Sequence, residues 1–338
     1  MSFSHTLEKL IRSDDLDRSE ARALMQFLVG GDATPAQVAG VLVALRTKGA
    51  TGEELASFAE VLRGSAVQVE SEHQDLLDTC GTGGGLPSFN ISSAAAFVAS
   101  AAGAKVAKHG NRAVTSACGS ADVLEALGLK ITNDPEVMAH VLNTVGLAFL
   151  FAPALHPAMR QVGGVRKELG VRTVFNQLGP LANPAGAARQ LVGVYDESLV
   201  DPMAEALEIL GVTRAAVVHG HDGMDEVSPC APTLVGWVEG GAVQMGEVAP
   251  SDFGLEELDA SVLTPGITAI ESAAILRESI GDVDSPRASA VLPSAAMAIY
   301  LAELEPTLLA AATRARDAIA SGSALRKLEA FIEVSNAA

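Results

Sequence analysis

Aromatic side chains are scarce in this chain, at 4% of 338 residues, whereas glycine is plentiful at 32. That composition favours close helix packing and α/β layering over the aromatic-rich core of a β-sandwich. Basic charge is also short: 23 Lys plus Arg stand against 41 Asp plus Glu, a formal charge of −18. The balance argues against a nucleic-acid partner and against an anionic membrane surface, although a local field in a cleft can still oppose the global one. Cys80, Cys118 and Cys230 are isolated thiols without the paired spacing of a metal site, which suits a reducing, cytoplasmic setting. No apolar run approaches the roughly 18 residues of a spanning helix, because glycines and charges interrupt each one. The N-terminus, Met1 to His5, leads into charged helical sequence without the basic and apolar regions of a signal peptide.

A second absence is local. Between Asp78 and Asp122 there is no carboxylate, although Lys105, Lys108 and Arg112 fall inside. The apolar pair Leu76-Leu77 feeds into Gly81-Thr82-Gly83-Gly84-Gly85, where missing Cβ atoms let backbone N–H groups approach a ligand. Asn90, Ser92 and Ser93 then open an alanine-rich helix, where unpaired N–H groups and the positive end of the dipole favour an anion. A glycine cluster alone is more often a plain turn; the hydroxyl-rich helix start and the bases turn the reading towards phosphate. It is neither of the two common loops, since no Gly-Lys-Ser/Thr follows and Leu86 stands where the dinucleotide fingerprint has its third glycine.

Residues 4 to about 70 read as four short helices. Asp17 with Glu20, Thr34-Pro35 and Thr51 with Glu54 mark helix starts, and Val38, Leu42 and Leu45 repeat at helical spacing. No reactive constellation appears there, so this part packs or dimerises. After a polar connector, Val69 to Asp75, strands and helices alternate. Strands are expected at Leu76–Thr79, Lys105–Lys108, Leu147–Phe151, Gln190–Tyr195 and Arg214–Val218, with a hairpin over Thr233–Met245 and helices from Ile267 to Val334. The fold class is therefore α/β: a small N-terminal helical domain, residues 1–70, and a larger domain, 71–338, with a mostly parallel central sheet flanked by helices. A helical part near 160–190 is expected to pack with the N-terminal domain. The glycine loop, His109, Pro153 and His219 follow strand ends, so they are expected at one crevice.

The stretch from Asp78 to Asp122 resembles the anthranilate phosphoribosyltransferase family, in which a Gly-Thr-Gly-Gly-Asp loop, Asn-Ile-Ser-Thr and Lys-His-Gly-Asn-Arg follow one another. The resemblance continues through Phe151-Ala152-Pro153, His156-Pro157, Val165-Arg166, Arg172-Thr173, Asn176, Leu178-Gly179-Pro180-Leu181, Asn183-Pro184 and Gly223-Met224-Asp225-Glu226, nearly the whole length. It implies displacement of pyrophosphate from phosphoribosyl pyrophosphate (PRPP) by the amine of anthranilate, in tryptophan synthesis. Gly81, Thr82, Gly83, Gly84, Asn90, Ser92, Ser93, Lys108 and Ser120 match PRPP-binding positions. Gly81, His109, Asn111, His156 and Arg166 match the anthranilate side. Ser92, Asp225 and Glu226 match the metal site, with Mg²⁺ as cofactor. A homodimer through the helical part is implied as well, and no general base is assigned, because an arylamine is already nucleophilic.

The sequence departs from that pattern in three places. Gly85 replaces the loop aspartate, Ala117-Cys118 replace a polar residue and a serine before Gly119-Ser120, and Leu292-Pro293-Ser294 replaces Leu-Asn, read as a packing variation. Two rivals share the fold. Pyrimidine nucleoside phosphorylases carry Lys-His-Ser-Gly-Arg where this chain has Lys108 to Arg112, and a nucleic-acid-binding relative would show a basic surface. His219-x-His221 with Asp225 superficially resembles a hydrolytic metal cluster but lacks a further histidine-carboxylate pair. His5, His73 and His140 are given no role.

Overall fold

The structure, a computed structural model, describes residues 2–113 and 118–338. It opens with α1 (Phe3–Ile11), α2 (Arg18–Gly30), α3 (Pro35–Lys48) and α4 (Gly52–Gly64). Asp17, Thr34 and Thr51 each accept from a first-turn N–H, while Glu20, Gln37 and Glu54 bond back to the N-cap amide, so three capping boxes close as their spacing predicts. Glu54 is fully buried and also accepts from the Leu16 N–H and from Lys48 Nζ, both at 2.9 Å, which ties the start of α4 to its neighbours.

The alternating part runs β1 (Leu77–Asp78), α5 (Ile91–Ala101), β2 (Val106–Gly110), α6 (Ser120–Ala126), α7 (Pro135–Val145) and β3 (Leu147–Phe151). It continues with α8 (Ala152–Leu155), α9 (Arg160–Leu169), α10 (Phe175–Leu181), β4 (Arg189–Gly193), α11 (Val200–Ile209) and β5 (Arg214–Gly220). The hairpin β6 (Thr233–Glu239) and β7 (Ala242–Val248) is followed by α12 (Ala269–Gly281), α13 (Pro286–Leu301), α14 (Leu308–Ala320) and α15 (Ser323–Ala337). One sheet of seven strands results, in the order β3-β2-β1-β4-β5-β6-β7, with β1 to β5 parallel and the hairpin antiparallel.

Alternate residues of the central strands feed opposite cores, as the two-residue period of a strand requires. Val192, Ala215 and Val217 face the core shared with α2 to α4, whereas Leu191, Ala216 and Val218 face the one built with α5, α7 and α12 to α15. Helices α9 and α10 leave the alternation and pack on α2, α3 and α4, where Val162, Phe175, Leu178 and Leu181 join the buried apolar residues of the N-terminal helices. The chain moves from β1 towards β2 and β3 on one side and returns to β4 on the other. Strand order therefore reverses between β1 and β4, and the glycine loop leaves β1 at that switch point, where open α/β sheets bind their ligands.

Candidate active site

A cavity of about 600 Å³ opens at the carboxyl ends of β1 and β2. Residues Gly81 to Gly85 form one side of its wall, and Asn90, Ser92 and Ser93 continue it into the start of α5. Lys108, His109, Asn111 and Ser120 come from β2 and the start of α6; Arg166 and Arg172 come from α9 and the loop after it. Asp225 and Glu226 complete the wall from the loop after β5. The structure thus gathers the glycine loop and the distant Asp225-Glu226 couplet on one cavity. Pro153 and His219 do not line this cavity, nor does His156.

Close backbone packing brings the acidic couplet to the glycine loop. The Thr82 N–H donates to the Gly193 carbonyl at 2.8 Å, and the Thr82 hydroxyl accepts from the Tyr195 N–H at 3.1 Å. Strand β4 ends at Gly193, short of the expected Tyr195, because the Asp225 backbone crosses there; a Cβ on Gly193 would overlap the Asp225 carbonyl oxygen. Leu86 then donates its N–H to the Gly223 carbonyl at 2.7 Å. Loop, strand end and couplet form one backbone knot that only small residues permit.

Donors converge on this corner. Ser93 is buried and its hydroxyl finds no protein partner. An orphaned buried hydroxyl costs stability unless a ligand or water satisfies it. Lys108, also buried, gives two donors to Thr79, to its carbonyl at 3.0 Å and its hydroxyl at 3.2 Å. Asn90 donates to the Cys118 carbonyl at 3.2 Å, which holds the start of α5 against the segment before α6. The Ser92 N–H at the first turn of α5 donates to Glu226 Oε1 at 3.0 Å.

The couplet is held under electrostatic tension. Burial pushes Glu226 up to about 7, with the charge of Asp225 adding to it, while Lys108, Ser294 and the Ser92 N–H pull the other way. Asp225 is raised too, first by burial, against the opposing effects of backbone N–H groups, Arg172 and His219. Two adjacent carboxylates pushed towards protonation, with hard oxygen atoms facing a hydroxyl-lined cavity, fit a divalent cation that would restore their charge. Ser294 was missed as a site residue. Its hydroxyl donates to Glu226 Oε2 at 3.3 Å, so the exchange at Leu292-Pro293-Ser294 reaches the couplet and is more than a packing variation.

The opposite end of the cavity is lined by His109, Asn111 and Arg166. His109 is buried, with Nδ1 on the Gly179 carbonyl at 3.1 Å and Nε2 without a partner. Burial holds it down at about 3, with His156 adding to the effect, so the ring is neutral and Nε2 presents a bare lone pair. His156 sits behind that ring, centroid to centroid 5.1 Å, instead of on the wall as expected. It lies at the end of α8, with a backbone bond at Ala182 just after α10. The Arg166 guanidinium stacks over Phe175 at 5.3 Å, and burial works against its charge, which an incoming carboxylate would offset. The Asn111 side-chain oxygen accepts from the Arg112 N–H at 2.7 Å, and Ser120 donates to the Asn111 carbonyl at 3.2 Å.

The side chains of two metal-like groupings are engaged in other bonds. His219 bonds the Val194 carbonyl at 2.7 Å and His221 pairs with Glu247 at 2.7 Å, so that pair diverges. Asp78, Cys80 and His109 lie close together, but Asp78 already accepts from the His109 N–H at 3.1 Å and from Asn183 at 2.7 Å, which braces β1 against β2 and the turn after α10. Ala117 lies outside the described residues; Cys118 lines the cavity.

The chain resembles known proteins over nearly its whole length. The chain matches the description "glycosyl transferase family, helical bundle domain" over residues 4–66 and "glycosyl transferase family, a/b domain" over 73–325. It is 45% identical over 333 residues to the anthranilate phosphoribosyltransferase of Alkalilimnicola ehrlichii, covering 98% of both chains. The chain belongs to the anthranilate phosphoribosyltransferase family. The crystal structure of the Thermus thermophilus family member superimposes with a TM-score of 0.91 at 41% identity, covering 98% of this chain and 99% of that one. The Saccharomyces cerevisiae family member, solved in complex with PRPP and Mg, gives a TM-score of 0.88 at 30% identity, over 100% and 98% of the two chains. Within the family pattern Gly85 remains the departure at the centre of the site.

Proposed function

We propose that this chain transfers the phosphoribosyl group of PRPP to the amine of anthranilate with release of pyrophosphate, in tryptophan biosynthesis. The observation that carries the reading is the backbone knot at Gly193, which sets the donor-rich loop and the Asp225-Glu226 couplet on one wall of a cavity whose other end presents Arg166 and His109. Gly81, Thr82, Gly83, Gly84, Asn90, Ser92, Ser93, Lys108 and Ser120 take the sugar diphosphate. Gly81, Asn111, His109 and Arg166 take anthranilate, with His156 bracing His109. Asp225, Glu226 and Ser92 would hold Mg²⁺, which supplies charge neutralisation for the pyrophosphate when bound.

Chemistry in this arrangement asks for positioning more than for proton transfer. Amides and hydroxyls fixed before the reaction stabilise charge gathering on the departing oxygen, and Lys108 adds a buried cation beside them. Arg166 fixes the carboxylate of the acceptor in a fork, and the bare Nε2 of His109 can accept from the amine, turning its lone pair towards the anomeric carbon. The uncharged ring is suited to accept and not to donate at that atom.

We further propose a helical domain at 1–70, a phosphoribosyltransferase domain at 71–338 and a homodimer through the helical part, supported by exposed Ile11 and Val43 on α1 and α3. A cytoplasmic setting is supported by Cys80, Cys118 and Cys230, which form no disulfide. The test is direct: with anthranilate, PRPP and Mg²⁺, anthranilate fluorescence should fall, and a parallel run with thymidine and phosphate should show no phosphorolysis. Persistent fluorescence at high protein concentration would sink the reading.

A further inference from the structure

Tyr195 lies outside the cavity wall, yet three of its groups converge on what holds the glycine loop. Its N–H donates to the Thr82 hydroxyl at 3.1 Å. Its ring lies under the Arg172 guanidinium, 4.1 Å from centroid to carbon, and that guanidinium donates to the Gly84 carbonyl. Its hydroxyl accepts from Arg46 Nη1 of α3 at 3.1 Å, a contact between residues 149 positions apart. The next link is the fit of Gly85 against Asp225. A continuous set of contacts therefore runs from the N-terminal helices through one tyrosine to the loop and on to the acidic couplet.

We infer that Tyr195 is a positioning residue for the sugar-diphosphate loop, and that Arg46 sets the loop through it, coupling the N-terminal helices to PRPP binding. The inference rests on the reading of residues 81 to 93 as the diphosphate site. Physically, a loop built mainly of glycine loses more conformational freedom on ordering than any other, so whatever fixes it in advance raises the affinity of its ligand. Thr82 anchors the loop at its start and Leu86 at its end. The middle, Gly83 and Gly84, is held by the Arg172 guanidinium at Gly84. Arg172 is in turn seated on the Tyr195 ring by a cation–π contact. Displacement of that ring shifts the seat, and the hydrogen bond from Arg46 holds the hydroxyl end of the ring in place. Arg46 is exposed and belongs to α3, none of whose residues lines the cavity, so a displacement of α3 reaches the loop by this route.

The variants Tyr195→Phe and Arg46→Met break the same link from its two ends and leave the cavity wall intact. Titration with PRPP and Mg²⁺ should show each weakening binding by about three- to fivefold, the net worth of one hydrogen bond. The double variant should be no worse than either single one, because the second change removes nothing further. At saturating PRPP the anthranilate KM should stay within about twofold of wild type, a split that general destabilisation would not produce. Hydrogen–deuterium exchange of the ligand-free protein reads the same coupling without any ligand: residues 81–88 should exchange faster in both variants and residues 160–169 should not. Unchanged exchange at 81–88, or losses that multiply in the double variant, would overturn the inference. If wild type itself failed to bind PRPP, the assignment of the diphosphate site would fall, and the exchange data would still decide whether the coupling exists.

Discussion

A Cβ built on Gly85 would lie 2.6 Å from the backbone nitrogen of Asp225 and 2.7 Å from its Oδ1. The resemblance in the sequence implies an aspartate at this position, and here the loop closes so tightly on the couplet that no side chain fits. Gly85→Asp should therefore not act as a restored metal ligand. It should push the loop off Asp225, lower the unfolding free energy by about 1–3 kcal/mol as an overpacked site does, and weaken PRPP binding. Denaturant unfolding and a PRPP titration check both; tighter binding with unchanged stability would show that the loop has room.

Arg166→Ala should act on one substrate. Removing the fork that receives the carboxylate should raise the anthranilate KM by roughly 10- to 100-fold, with the PRPP KM little changed. Arg166→Lys keeps the charge but not the planar fork and should recover only part of the loss. Initial rates over a grid of both substrates separate the outcomes; equal effects on both KM values would contradict the assignment.

His109→Phe should keep the ring packed beside His156 and remove the Nε2 acceptor. The variant keeps most of the ring volume but loses the Nδ1 bond to the Gly179 carbonyl, so it should fold with stability lower by about 1–3 kcal/mol, and lose kcat by about tenfold or more through poorer amine orientation. Single-turnover rates are the measurement, with PRPP binding as the control that should not move.

The pH dependence of stability follows from Glu226. Its folded value, about 7, lies above the ordinary 4.5, so the native state holds a proton that the unfolded state releases. The contribution of Glu226 to stability is present below about 4.5 and is lost as pH rises towards 7. In metal-free buffer, Glu226→Gln should therefore gain stability relative to wild type between those limits and hold the gain above them. His109 and His156 work in the opposite sense: held down at about 3 and about 4, they cost stability as pH falls below the ordinary histidine value of 6.5. Urea unfolding of wild type and Glu226→Gln at pH 5 and pH 8, in the presence of a chelator, isolates the carboxylate; a difference independent of pH would contradict it.

Much of the architecture was legible because it is written in local signals. The capping boxes at Asp17, Thr34 and Thr51, the strands that begin near Lys105, Leu147 and Arg214, and the hairpin turning after Glu239 each carry their pattern within a few residues. The glycine loop and the hydroxyls of α5 were legible for the same reason. What escaped depends on contacts across long separations. Gly193 looks like any strand-end glycine until Asp225 is placed on it, and Ser294 looks like helix filling until it meets Glu226 across 68 residues. Arg172 and Tyr195 were seen as pattern and as a strand end, since nothing in their spacing shows one stacked on the other. His156 was placed on the wall because sequence gives the residue type and not the depth.

The central claim is that the loop at residues 81–93 and the couplet Asp225-Glu226 act together on one diphosphate through magnesium. Calorimetric titration of PRPP into wild type and into an Asp225→Asn/Glu226→Gln double variant, each with Mg²⁺ and with a chelator, tests it most directly. Magnesium should tighten binding strongly in wild type and hardly at all in the variant, while the weak metal-free affinity of both stays alike. An equal magnesium effect in the two proteins, or none in wild type, would contradict the account.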